Sequence, residues 1–224
     1  MNVCIVQFPG SNCDQDMFHA VKDVLGIPVR MVWNKEKSFG GECDAVILPG
    51  GFSFGDYLRP GAIACVSPIM NALADFAKQG GRILGICNGF QILCEMGLLP
   101  GALVRNNCQE FRCHTQGLAV QNSTPSFNVE KLGEHIELPI AHGDGNYRIP
   151  GKLLDELEAH KQVLFRYSGE RGNPNGSLNQ IAGIRNRAGN IFGMMPHPER
   201  AVEPIHPSTH GISVLKAFLN SKMM

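Results

Sequence analysis

The stretch Arg82-Ile83-Leu84-Gly85-Ile86-Cys87-Asn88-Gly89-Phe90-Gln91 decides the fold. A short apolar run ends at Cys87, glycines stand two residues before and two after it, and an apolar pattern at helical spacing continues through Phe90, Leu93 and Met96. The spacing predicts a strand, a cramped turn and a helix, with the thiol at the turn. Glycine tolerates such a turn because a side chain there would crowd the neighbouring backbone. Cys87 then sits near a helix N-terminus, where amide dipoles favour a thiolate over a thiol. That is a nucleophile elbow with cysteine in place of serine. A structural cysteine at a glycine-bounded strand end would share the pattern, so the elbow alone leaves both readings open.

Upstream, Val3-Cys4-Ile5-Val6 reads as a buried first strand, broken by Pro9-Gly10-Ser11-Asn12. Apolar residues at Met17, Ala20, Val21, Val24 and Leu25 predict a helix over 14–25, capped by Ser11 or Asn12. Strands follow at Pro28 to Val32 and at Cys43 to Leu48, the second emptying into Pro49-Gly50-Gly51-Phe52-Ser53-Phe54-Gly55-Asp56. This glycine-rich loop could present amides to an anion or be a plain turn, and it lacks the lysine of a phosphate loop. Ser67 as cap and Pro68 in the first turn open another helix, with Ile69, Leu73, Phe76 and Ala77 inward and Gly80-Gly81 ending it. Three strand and helix alternations before residue 97 predict an α/β fold with a mostly parallel sheet flanked by helices. Loops at the carboxyl ends of parallel strands share one edge, the usual ligand edge, so Cys87 and Gly50-Gly51 receive a common address.

Beyond Pro100 the pattern turns to shorter strands around Ala102-Leu103-Val104, Leu118-Ala119-Val120 and Ile136 to Ile140, then Val163 to Tyr167, Ile181 to Arg185 and Asn190 to Met194. The second half is expected to be more antiparallel, with a helix over 152–160. A last helix starts from Ser208 or Thr209, with Ile212, Leu215, Phe218 and Leu219 inward and Lys216 and Lys222 outward. Neither a repeat nor an interdomain linker interrupts the chain, so residues 1–224 read as one domain.

Composition narrows the function. The 20 Lys plus Arg balance the 20 Asp plus Glu, and no dense basic block implies nucleic acid or an anionic membrane surface. No apolar run has the length of a membrane span and no basic leader precedes the first strand, which predicts a cytoplasmic protein. The eight cysteines are not needed as a disulfide scaffold at 224 residues. Cys4 and Cys94 fall in apolar patterns, and Cys13, Cys43, Cys65, Cys108 and Cys113 lack paired metal-ligand spacing. Cys108 and Cys113 with His114 have no obvious further ligand, so no metal site is expected.

Pro196-His197-Pro198-Glu199 interrupts the last strand-like run. Its prolines restrict the backbone and can hold both functional side chains in defined directions. Alone, His197 reads as a structural or surface histidine. Beside the elbow it becomes a proton-transfer partner for Cys87, with Glu199 selecting its tautomer.

Together, Gly85-Ile86-Cys87-Asn88-Gly89-Phe90-Gln91 and Pro196-His197-Pro198-Glu199 resemble the class I glutamine amidotransferases. Asn88 favours the purine-pathway branch, as do Phe8-Pro9-Gly10-Ser11-Asn12-Cys13-Asp14, Pro49 to Asp56, Ala141-His142-Gly143-Asp144-Gly145 and Met194 to Arg200. The resemblance implies Cys87 as nucleophile, His197 as proton-transfer residue and Glu199 as its orienting carboxylate. It further implies the backbone amides of Gly51 and Asn88 as oxyanion donors and Gln91 as a wall of the glutamine pocket. Asp144 stands where many relatives carry glutamate, and its segment reads either as substrate contact or as a supporting turn. The implied activity is hydrolysis of glutamine to glutamate and ammonia, without a cofactor tightly bound in this chain. Ammonia would pass to a large synthetase partner that uses ATP and magnesium to convert formylglycinamide ribonucleotide into formylglycinamidine ribonucleotide, accompanied by a small assembly protein. The polar connections 106–116 and 169–180 are candidate partner surfaces or ordinary solvated loops.

Overall fold

Buried apolar runs without alternation build the first half of the fold. A computed structural model of the protein describes residues 1–125, 127–129 and 132–219. Strands β1 (Val3–Gln7), β2 (Val29–Trp33), β3 (Ala45–Leu48), β4 (Arg82–Ile86) and β11 (Ile191–Met194) pair in parallel in the order β2-β1-β3-β4-β11. All residues of β3, β4 and β11 are buried, as expected for parallel strands covered on both faces. The sheet continues antiparallel through β10 (Ile181–Arg185), β9 (Val163–Ser168), β6 (Arg112–Val120) and β7 (His135–His142). On β7 the pattern alternates, with Ile136, Leu138, Ile140 and His142 inward and His135 and Glu137 exposed. The expected arrangement therefore holds, the antiparallel strands lying in the second half.

Helices α1 (Asp14–His19), α2 (Ile69–Lys78), α3 (Asn88–Glu95), α4 (Gly151–Ala159) and α5 (His210–Leu219) connect these strands. α3 packs on β3, β4 and β11, whereas α5 packs on β7. Phe127, Phe165, Phe192 and Phe218 interlock with ring centroids 5.1 to 6.3 Å apart. Each buried phenyl contributes about 1.5–3 kcal/mol relative to exposure, so this cluster anchors the antiparallel half to α5. No described helix is long and apolar enough to cross a membrane.

Several local expectations need correction. The cap position of α1 is Cys13, not Ser11 or Asn12, and the helix runs on as a π-helical turn over Ala20–Val24. Ser67 does not cap α2; its hydroxyl accepts from Asn34 Nδ2 at 3.2 Å, with Pro68 at the cap position. Ser208 does assist α5, its Oγ accepting from His210 N at 3.2 Å while donating to Glu137 O at 2.6 Å. With His210 Nδ1 accepting from Glu137 N at 3.1 Å, these contacts cover the free edge of β7 against further strand pairing. β6 starts as early as Arg112, and the short β5 (Ala102–Val104) pairs with an unanticipated β8 (Asn146–Arg148). Lys222 lies outside the described residues.

Candidate active site

The register of three parallel strands assembles the site. Gly85 is paired with both Leu48 and Gly193, so β3, β4 and β11 end side by side. The residues leaving those ends are the Pro49 to Asp56 loop, Cys87, and Pro196 to Glu199. Cys87 N donates to Met194 O at 2.8 Å and then turns sharply, with φ 49 and ψ −103. A non-glycine residue occupies such a conformation only where its surroundings enforce it. Gly89 is part of that enforcement, because a Cβ there would overlap the Leu48 carbonyl oxygen. α3 can thus approach the end of β3 and start directly at the thiol.

His197 Nδ1 donates to Glu199 Oε1 at 2.6 Å, both side chains being essentially sealed from solvent. His197 N donates to Pro139 O at 2.8 Å, tying the His-Pro-Glu turn to β7. Burial works against a charged imidazole, yet the Glu199 carboxylate, then Cys87 and Cys13, hold the His197 pKa well above its usual value. The Cys87 thiol, 5% exposed, lies close enough to contribute to that shift while donating to Ala141 O at 3.7 Å. The ring also packs on Gly50, where a Cβ would stand 2.7 Å from His197 Cε1.

The other expected residues surround this pair. Gly51 has φ +121, and a Cβ there would meet Asn12 N at 2.6 Å; its amide has no protein acceptor among the described residues. The Asn88 amide belongs to the first turn of α3 and has no acceptor within its helix. The Asn88 side chain is a clamp: Oδ1 accepts from Ser53 N at 3.2 Å, and Nδ2 donates to Gln91 Oε1 at 3.0 Å and to Asp56 Oδ1 at 3.2 Å. Gln91 Nε2 donates to Asp144 O at 2.7 Å, linking α3 to the segment after β7. Gly51, Asp56, Cys87, Gln91, Arg105 and Asp144 line a cleft of about 440 Å³. Burial, then the nearby Asp144 charge, push Asp56 up to about 6, against the Asn88 hydrogen bond. A thiol at a strained turn, a sealed imidazole with its carboxylate and unengaged amides beside a polar cleft suit attack on an amide carbonyl.

Residues 1–217 match the family described as the CobB/CobQ-like glutamine amidotransferase domain. The chain belongs to this amidotransferase family. It is 51% identical to phosphoribosylformylglycinamidine synthase subunit PurQ of Moorella thermoacetica, over 98% of this chain and 96% of that protein. The PurQ subunit of Synechococcus elongatus is 53% identical, over 98% of each. A chain in the structure of PurLQS from Thermotoga maritima superposes with a TM-score of 0.86 at 44% identity, covering 98% of this chain and 97% of that one.

Three features of this amidotransferase site escaped sequence reasoning. Cys13, set aside in the sequence for want of metal-ligand spacing, is buried beside the His197–Glu199 pair, its sulfur within 4.8 Å of a ring nitrogen of His197 and a carboxylate oxygen of Glu199. Its position just after β1, on the same sheet edge, was the available signal. His142, buried behind Ala141, has its pKa pushed down to about 4 by burial and then by the His197 charge, so it is neutral there. Finally, the polar connections taken as solvated or partner-facing loops contribute a buried scaffold. Asn106 Nδ2 donates to His142 O at 2.9 Å and its Oδ1 accepts from Gly145 N at 3.0 Å, while Asn175 Nδ2 donates to Gly145 O at 2.8 Å. These amides fix the Ala141 to Gly145 wall from behind.

Proposed function

We propose that this chain is the glutaminase component of phosphoribosylformylglycinamidine synthase, hydrolysing glutamine to glutamate and ammonia for an ATP-dependent synthetase in de novo purine biosynthesis. The observation that carries the reading is the meeting of the strained Cys87 turn with the buried His197–Glu199 pair at one sheet edge, in a chain more than half identical to two such subunits. The Cys87 thiolate attacks the side-chain carbonyl carbon of glutamine, forming a C–S bond. The Gly51 and Asn88 amides receive the developing oxyanion. His197, held as an imidazolium by Glu199, protonates the leaving nitrogen, so the C–N bond breaks and ammonia departs. Water, deprotonated by His197, then attacks the thioester and releases glutamate. Gln91 shapes the pocket through its bonds to Asn88 and Asp144.

Residues 1–224 act as one amidotransferase domain, in the cytoplasm, contacting neither nucleic acid nor membrane. This chain holds no cofactor; ATP and magnesium belong to the large synthetase partner, which converts formylglycinamide ribonucleotide into formylglycinamidine ribonucleotide. A small assembly subunit completes the complex. The test is glutamate release by the chain with and without both partners, ATP, magnesium and formylglycinamide ribonucleotide. Turnover coupled to amidine formation and lost in Cys87→Ser is expected. Unchanged turnover in that variant would overturn the nucleophile assignment, and glutaminase activity uncoupled from product would move the chain to another ammonia-consuming system.

A further inference from the structure

Glutamine offers the cleft more than an amide: its other end carries an ammonium and a carboxylate. Four charged side chains line the cleft, Asp56, Arg59, Arg105 and Asp144. Three of the four already have an ion-pair partner. Arg59 forms a two-point pair with Glu95, its Nε donating at 2.8 Å and its Nη2 at 2.5 Å. Arg105 Nη1 lies 3.3 Å from Asp144 Oδ2, which also accounts for Asp144. Asp56 is different. Among the described residues its one hydrogen-bond donor is the neutral Asn88 amide and no cation offsets its charge, while Asp144 repels it. The carboxylate is held in place nonetheless, because the residue has φ 55 and the Asn88 bond ties it to the residue following the nucleophile. A half-buried carboxylate without a counter-ion is unfavourable in the free protein and becomes favourable when a cation arrives.

We propose that Asp56 is the receptor for the α-ammonium group of glutamine and so a specificity-determining residue for α-amino acid amides. This rests on the glutaminase reading above and adds the feature that separates glutamine from simple carboxamides. Asn88 then couples recognition to chemistry: its backbone amide faces the oxyanion, and its side chain holds the carboxylate that receives the other end of the substrate.

The experiment compares glutamine with 4-carbamoylbutanoate, the same molecule without its α-amino group, as substrates of the chain assembled with its synthetase and assembly partners. Wild type is expected to favour glutamine. In Asp56→Asn, which preserves the acceptor for Asn88, kcat/KM for glutamine should fall about 10- to 100-fold, the size of a lost charge-assisted hydrogen bond, chiefly through KM. The value for 4-carbamoylbutanoate should change less than about threefold, so the selectivity ratio collapses. Asp144→Asn, whose carboxylate already has Arg105, should lower the ratio less. Parallel losses for both substrates, or an unchanged ratio, would show a merely structural role and overturn the inference. If assembled wild type releases no glutamate at all, the glutaminase reading itself fails and takes this inference with it.

Discussion

Asp56→Asn should make the free protein more stable, with a pH dependence that reports the cost of the charge. Burial and Asp144 raise the Asp56 pKa from 3.8 to about 6. At about 1.4 kcal/mol per tenfold change in proton affinity, that rise sets a ceiling of ~3 kcal/mol, and solvent screening of a half-buried group reduces this to about 1–1.5 kcal/mol. The sign follows from proton binding. Because the folded pKa is the higher one, the folded state binds more protons between about pH 4 and 6, and the protonated carboxyl's contribution is lost as pH rises through about 6. Asparagine imitates the protonated acid at every pH. The variant should therefore match wild type near pH 4 and gain with rising pH, levelling off above about 6.5 at a Tm higher by roughly 2–6 °C, given 2–4 °C per kcal/mol for a chain of this size. Thermal unfolding followed by circular dichroism from pH 4 to 8 measures it. A gain independent of pH, or a loss at pH 7.5, would refute the reasoning by showing that the carboxylate has a compensating partner.

Two further substitutions probe the elbow and the imidazole. Glu199→Gln keeps an acceptor for His197 Nδ1 but removes the carboxylate charge that raises the His197 pKa. Glutaminase kcat should fall on the order of 10- to 1,000-fold, and the alkaline limb of its pH profile should move to lower pH because the imidazolium is lost earlier; an unmoved limb would count against Glu199 as the orienting charge. Gly89→Ala places a methyl against the Leu48 carbonyl, forcing α3 off the end of β3. A destabilisation of about 1–3 kcal/mol by denaturant titration, with at least tenfold lower activity, is expected, and near-normal values of both would mean that the close approach is not what holds the elbow.

The meeting of candidate residues far apart in sequence was legible because strand ends in a parallel sheet share an edge. Continuous apolar runs before Pro49, Cys87 and Pro196 identified strands buried on both faces, and the elbow and His-Pro-Glu patterns supplied the chemistry. Polar residues with buried duties were much harder to read. Asn106 and Asn175 look like solvated loop residues in one dimension, yet both are essentially inaccessible and satisfy backbone groups of the 142–145 segment. Hydrophobic periodicity reports contact with an apolar core and carries no record of where a side-chain amide finds its partner. Caps failed for a related reason: Ser67 has a competing tertiary donor in Asn34, and propensity cannot weigh a contact made 33 residues away.

The two walls of the cleft are built on opposite terms, and the difference explains where charge can be tolerated. The wall from Ala141 to Gly145 is backed by buried amides that satisfy its backbone, and its one charged side chain, Asp144, already has Arg105. The wall from Phe52 to Leu58 is different: Phe54, Asp56 and Leu58 all have positive φ, and Tyr57 and Leu58 are 74% and 88% exposed. Its core contacts are confined to its first half, where Ser53 is buried and Phe54 packs on Phe8 with ring centroids 6.3 Å apart. It is held by backbone bonds from Phe52 N to Gly10 O at 2.9 Å and from Phe54 N to Pro9 O at 2.6 Å, and by Asn88, whose side chain bonds Ser53 and Asp56 together. An uncompensated carboxylate on the first wall would work against a buried network, where an unpaired charge is most costly. On the second wall it meets water until substrate arrives, and its tether ends beside Cys87. The more exposed wall is therefore the one on which a substrate cation can be recognised at moderate cost, and Asn88 is the residue through which recognition reaches Cys87.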